Sequence, residues 1–184
     1  VLWGAESEQR DARLIKVDVP LMHGGLGWRG LVVLQSRSME FAQLDQFDQL
    51  LPLVFCQGKS WPDADILEHN GLQVARVLGL DNMYEMLRIR RCDALPLSIF
   101  EGQSEVNLVR AAYPELAFIV NPTIRYPLGM YFYVSPDKPE LANRLQTSLE
   151  YFEQTGELKQ YMQRHSLTRD AFPLSQYTQI IELR

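Results

Sequence analysis

The stretch VFCQGKSWPDADIL, Val54–Leu67, joins an apolar run to a helix start through Gly58-Lys59-Ser60. A phosphate-binding P-loop requires G-x-x-x-x-G-K-[ST], because its first glycine lets the backbone wrap around phosphate with its N–H groups pointing inward. Counting back from Gly58, that position holds Leu53, and Leu53 to Cys56 are better strand formers than loop formers. The triplet therefore reads as the end of a buried strand followed by a helix, not as a triphosphate cradle. A helix N-terminus still offers free N–H groups and a partial positive charge, which favour carboxylates among other anions. Ser60 either only caps its helix or also meets a ligand there, and the local sequence leaves both open. Lys59 reads as a solvated side chain.

Working outward, SWPDADILEHNG places Ser60 as N-cap, Pro62 in the first turn, Asp63 three residues after the cap and Gly71 as the terminating residue. DNMYEMLRIRR predicts a second helix from Asp81, ending in arginines suited to its negative pole. The short apolar runs LPLVFC, QVARVL and CDALPLSIF between these helices have the length of buried parallel strands. A third helix is expected over residues 104–113 and a further strand over 116–120. Strand alternating with helix defines a doubly wound α/β unit. GLVVLQ before it and GMYFYVS after it are strand candidates for crossovers between two lobes. Lys138 to His165 reads as two helices, with Leu141, Leu145, Leu149 and Phe152 on one face and Gly156 at the break.

Composition narrows the function. The chain has 184 residues, enough for one sizeable core or two small lobes, with 46% hydrophobic residues and a net charge of -5. No arginine or lysine cluster exceeds Arg88, Arg90 and Arg91, so there is no footprint for nucleic acid. No apolar run approaches the ~20 residues of a membrane span. His23, His69 and His165 are scattered and no Cys/His spacing suits a metal, so neither metal nor cofactor is expected. Cys56 and Cys92 are compatible in number with one disulfide or two buried thiols, and the thiols are the favoured reading, since positions near opposite ends of adjacent parallel strands argue against a bond. His23-Gly24-Gly25 has the spelling of a hydrolase oxyanion loop but lacks a G-x-S-x-G elbow, and reads as a turn. Ser135-Pro136-Asp137-Lys138 fits S-x-x-K by spelling alone and reads as a strand-to-helix turn. Trp28 is expected in the core, and Trp61, beside Ser60, at a cleft wall.

Four blocks in order, SEQRDARLIKVDVPLMHGGLGWRGLVVL, VFCQGKSWPDADILEHNGL, RRCDALPLSIFE and PLGMYFYVSPDKPELANRLQTSLEYFEQTGELKQYM, resemble the type II periplasmic solute-binding proteins. The branch is that of the polar amino-acid receptors of ABC transporters. The resemblance covers nearly the whole chain and implies a bilobal α/β fold with two doubly wound lobes, joined by two crossover strands and closing over the ligand by a hinge. Lobe 1 would comprise residues 1–36 and 123–184, lacking its opening strand and helix, and lobe 2 residues 37–122. It implies a periplasmic location, a small polar solute such as an amino acid as ligand, and an ABC-transporter permease as partner.

Site roles follow where residues match. Ser7-Glu8-Gln9-Arg10 resembles the family's T-x-x-R element, which makes Arg10 the candidate clamp for a ligand carboxylate, a task suited to a planar guanidinium. The alternative is a surface arginine paired with Glu6 or Asp11. Gly58-Lys59-Ser60 resembles the family's Gly-Thr-Thr, so Gly58, Ser60 and the following helix start would hold the same carboxylate. Where the family places an aspartate for the ligand ammonium, this chain has Ser98 after Leu97, and a hydroxyl does not supply that charge. Glu101, three residues on, is the candidate substitute. Two other classes stay open: a sensory or interaction domain with a degenerate cleft, and a dehydratase-like enzyme on the same fold using Glu101 as acid.

Overall fold

A computed structural model describes the backbone of residues 1–184 and the side chains of all except positions 23 and 24. In chain order the elements are β1 (Leu2–Ala5), α1 (Glu8–Asp11), β2 (Ile15–Leu21), β3 (Trp28–Leu34), α2 (Ser38–Phe41), β4 (Val54–Gly58), α3 (Pro62–His69), β5 (Gln73–Val77), α4 (Leu80–Arg88) and β6 (Leu95–Ser98). They continue with α5 (Gly102–Val109), β7 (Leu116–Arg125), β8 (Met130–Val134), α6 (Pro139–Gln154), α7 (Glu157–Arg164) and β9 (Ile180–Glu182). The chain divides into two compact units, Val1–Leu26 with Pro127–Asp170 and Gly27–Tyr126 with Ala171–Arg184.

The first unit is an antiparallel sheet in the order β1-β8-β2 with α6 on one face. Strand alternation sends Val17 and Val19 of β2 and Val134 of β8 into a core with Ala142 and Leu149 of α6. Leu141 and Leu145 pack on this cluster, whereas Phe152, expected on the same stripe, is exposed beyond the contact. Burying each such side chain contributes about 1.5–3 kcal/mol. Gly156, at φ 75°, takes the left-handed turn between α6 and α7 that a side chain would resist.

In the second unit β3 runs antiparallel to both β6 and β7, and β9 lies parallel to β7. The β4-β5 pair is parallel, and a single parallel bridge, Phe55 to Ala94, leads from β4 toward β6. α4 is apolar on one side, where Met83, Tyr84 and Leu87 are buried against Cys56, Leu95 and Leu97. α3 ends as expected: Gly71, at φ 83°, donates to the Glu68 carbonyl and Leu72 to that of Leu67. Its start differs, because Trp61 rather than Ser60 is the N-cap and no side chain caps it.

Three expectations change. The lobe boundaries at 36/37 and 122/123 fall after β3 and inside β7, whereas the compact units meet at 26/27, 126/127 and 170/171. Residues 171–184 join the second unit, because β9 pairs with β7, Tyr177 meets Trp28 edge to face at 6.0 Å, and Phe172 meets Phe100 at 5.8 Å. GMYFYVS is no crossover: β8 lies between β1 and β2 in the first sheet.

The cysteines are also not free thiols. Cys56 and Cys92 form a disulfide with their Cα atoms 5.7 Å apart. Arg90, at φ 58°, reverses the chain after α4, and the Arg91 and Cys92 amides both donate to the Met86 carbonyl. That turn carries Cys92 over the middle of β4 before β6 begins.

Candidate functional site

In the first unit, Ser7 caps α1 by accepting the Arg10 amide at 3.3 Å, which anchors the short helix that carries the arginine. The Arg10 side chain folds back along β1, donates from Nη1 to the Ala5 carbonyl, and lies over Gly4, where an added Cβ would stand 3.3 Å from its Cζ. Neither acid that would pair a surface arginine does so. Glu6 meets Lys16 at 3.8 Å, and Asp11 accepts the Tyr133 hydroxyl at 3.0 Å. Among the described residues Arg10 forms no ion pair, and a half-buried guanidinium is left with uncommitted donors.

In the second unit, Gly58 ends β4 with the Trp61 ring against its Cα; a Cβ there would fall 2.4 Å from the indole. The loop spends most of its amides on the protein itself. Gly58 donates to Gln57 Oε1 at 3.1 Å, Lys59 to the Val77 carbonyl at 2.9 Å and Trp61 to the Gly58 carbonyl at 3.0 Å. Among the described residues, the donors of this triplet that lack an acceptor are the amide and hydroxyl of exposed Ser60 and the ammonium of exposed Lys59. The loop therefore offers a single free backbone amide, far short of a phosphate cradle.

Ser98 ends β6 fully buried, opposite Arg29 of β3, and its hydroxyl accepts the Phe100 amide at 3.3 Å. Glu101 precedes α5, with its side chain about half exposed. Desolvation pushes its carboxyl above the ordinary glutamate value, and the charge of Arg29 pulls the other way.

Arg29, Asp63 and Tyr126, assigned no part in the site from sequence, form a buried charge network that reaches Glu101. Arg29 and Asp63 are each 4% exposed, and Arg29 Nη2 meets Asp63 Oδ1 at 2.5 Å. The Tyr126 hydroxyl accepts from Arg29 Nε at 3.1 Å and donates to Asp63 Oδ1 at 2.6 Å. Arg29 Nη1 lies 3.8 Å from Glu101 Oε1. Burial works against the Arg29 charge, but Tyr126, Asp63 and Glu101 more than restore it, so Arg29 stays protonated. Burial also raises the Tyr126 hydroxyl well above the usual tyrosine range, keeping it a donor. One signal was present: an arginine inside the apolar run LGWRGLVVL must find a buried partner. The spelling does not say which acid that is.

The His23-Gly24-Gly25 spelling lies partly outside the described residues. Among the described residues no group of His, Cys, Asp and Glu is gathered to hold a metal, and no helix is long and apolar enough to cross a membrane.

The fold is that of the type II periplasmic binding proteins. An amino-acid ABC transporter substrate-binding protein from Streptococcus pneumoniae, bound to L-arginine, matches 93% of this chain and 66% of its own at 15% identity and a TM-score of 0.56. A periplasmic His/Glu/Gln/Arg/opine family-binding protein from Silicibacter pomeroyi, in complex with lysine, matches 87% of this chain and 65% of its own at 14% identity and a TM-score of 0.55. A probable amino-acid ABC transporter extracellular-binding protein from Bacillus subtilis matches 88% and 67% at 16% identity and a TM-score of 0.61. The chain thus spans about two thirds of the length of these structures. No protein-family model and no curated protein sequence matches it.

Proposed function

We propose that this chain is an extracytoplasmic solute-binding module that captures a small polar solute bearing a carboxylate, an amino acid for preference, for an ABC transporter or a sensor. Arg10 is the carboxylate partner. Ser60 contributes a hydroxyl and an amide, Trp61 an aromatic wall that Gly58 admits by having no side chain, and Glu101 takes the ligand's ammonium in place of the buried Ser98. The observation that carries this reading is the uncommitted guanidinium of Arg10, whose two neighbouring acids are engaged elsewhere. A guanidinium that gives one nitrogen to the Ala5 carbonyl and meets no acid keeps donors for a ligand carboxylate. The Cys56–Cys92 disulfide supports an oxidising compartment outside the cytosol.

A second reading, a sensory domain with a degenerate cleft, is favoured by Ser98, whose hydroxyl is turned inward onto Phe100. A thermal-shift screen with free amino acids separates the two. Binding to the native state alone raises stability by RT ln(1 + [L]/Kd). A rise for one amino acid that disappears in Arg10→Ala supports capture, and no rise for any of them supports the degenerate domain.

A further inference from the structure

Arg29 is the most deeply buried cation of the second unit, and its charge is already met inside the protein. Asp63 binds it at 2.5 Å, and Tyr126 joins both groups at 3.1 and 2.6 Å. Asp63 also sits in the first turn of α3, where the positive end of the helix favours an anion. One carboxylate of the chain itself therefore stands at the place that would otherwise attract one from outside. Beyond the pair lies Glu101, 3.8 Å from Arg29 Nη1 and half exposed. One guanidinium against two carboxylates leaves one negative charge, and its accessible part is Glu101.

We infer that Asp63 determines the charge preference of the ligand: by neutralising Arg29 it leaves Glu101 to the ligand's ammonium and leaves this cluster no free cation for a second carboxylate, so that solutes with a second carboxylate are rejected. The inference rests on the proposed capture of amino acids and adds which of them the site takes. Without Asp63, the arginine would be open to an external carboxylate and Glu101 would be balanced by it.

Affinities of the full chain for L-lysine and L-glutamate, measured by calorimetry, test it. The unmodified chain is expected to prefer L-lysine, and Asp63→Asn to shift the ratio toward L-glutamate by roughly tenfold, about 1.4 kcal/mol. The double variant Arg29→Gln/Asp63→Asn loses both charges and is expected to keep the original preference, which a purely structural role of the pair would not restore. A folded Asp63→Asn with an unchanged ratio overturns the inference. If Asp63→Asn does not fold, Glu101→Gln decides, since the negative charge of this half-exposed group is expected to turn a second carboxylate away and its loss to move the ratio toward L-glutamate; an unchanged ratio there overturns the inference equally. If the unmodified chain binds another amino acid but neither of these, the inference is overturned; if it binds none, the capture reading falls instead. Asp63→Ala is then tested with formate: a formate-dependent rise in its melting temperature, absent from the unmodified chain, supports Asp63 as the internal occupant of an anion site, and no rise overturns that.

Discussion

Cys56 and Cys92 are joined across 36 residues of sequence, and the bond ties the loop after α4 to the middle of β4, two residues before Gly58. Closing a loop of this size restricts the unfolded chain far more than the folded one. Removing the bond by Cys56→Ser/Cys92→Ser is expected to cost about 3–4 kcal/mol, read as a lower urea midpoint. Dithiothreitol should give the same loss in the unmodified chain and none in the variant.

Tyr126 is a hydrogen-bonding bridge between two buried charges, so Tyr126→Phe removes one acceptor and one donor with little change of shape. The expected loss is about 1.5–3 kcal/mol, the scale of a hydrogen bond to a charged group. Equilibrium unfolding checks this; a loss no larger than that of an exposed tyrosine, such as Tyr161→Phe, would show that the bridge contributes nothing.

Glu101 gives a pH dependence with a definite sign. Its folded pKa lies above the unfolded value, so the folded state binds the proton more tightly and this group's contribution falls as pH rises through that interval. At neutral pH the ionised carboxylate is a net cost. Glu101→Gln is therefore expected to be more stable than the unmodified chain at pH 7, with the gap closing as the pH falls below the unfolded glutamate pKa. Melting temperatures across that range check it, and a gap that widens in acid would reverse the assignment.

Gly30 lets β3 and β7 approach across the ring of Phe118. A Cβ at position 30 would stand 2.4 Å from Phe118 Cζ and 2.6 Å from the Ile119 carbonyl oxygen. The backbone oxygen has nowhere to go, so Gly30→Ala is expected to cost about 1–3 kcal/mol by overpacking, measured by urea denaturation. Gly71→Ala, where space is open but φ is 83°, separates crowding from backbone strain.

The sequence made the elements legible wherever a period or a terminator marked them. Gly71 and Gly156 ended helices where expected, and the Val54 run became β4. What stayed hidden depends on distance along the chain. Tyr126 and Arg29 are 97 residues apart, and Tyr126 and Asp63 are 63 apart, so no local pattern links them. The disulfide was missed because it hinges on one left-handed residue, Arg90, of a type that rarely adopts that conformation. β9, at three residues, is too short to show a period at all. Of the cluster around Arg29, Glu101 was singled out from the sequence, whereas Asp63 as the internal partner of Arg29 was not.

The segment from Ala171 onward has a consequence for biosynthesis. β9 covers the free edge of β7, Glu182 pairs with Arg125, and Asn70 exchanges two hydrogen bonds with Arg184 at 2.6 and 2.9 Å. The second unit holds most of its sequence by Tyr126, yet its sheet gains its last strand only when residues 180–182 leave the ribosome. Until then β7 is an open edge that a passing strand can occupy. A nascent chain stalled before Ile180 should accordingly recruit chaperones to β7.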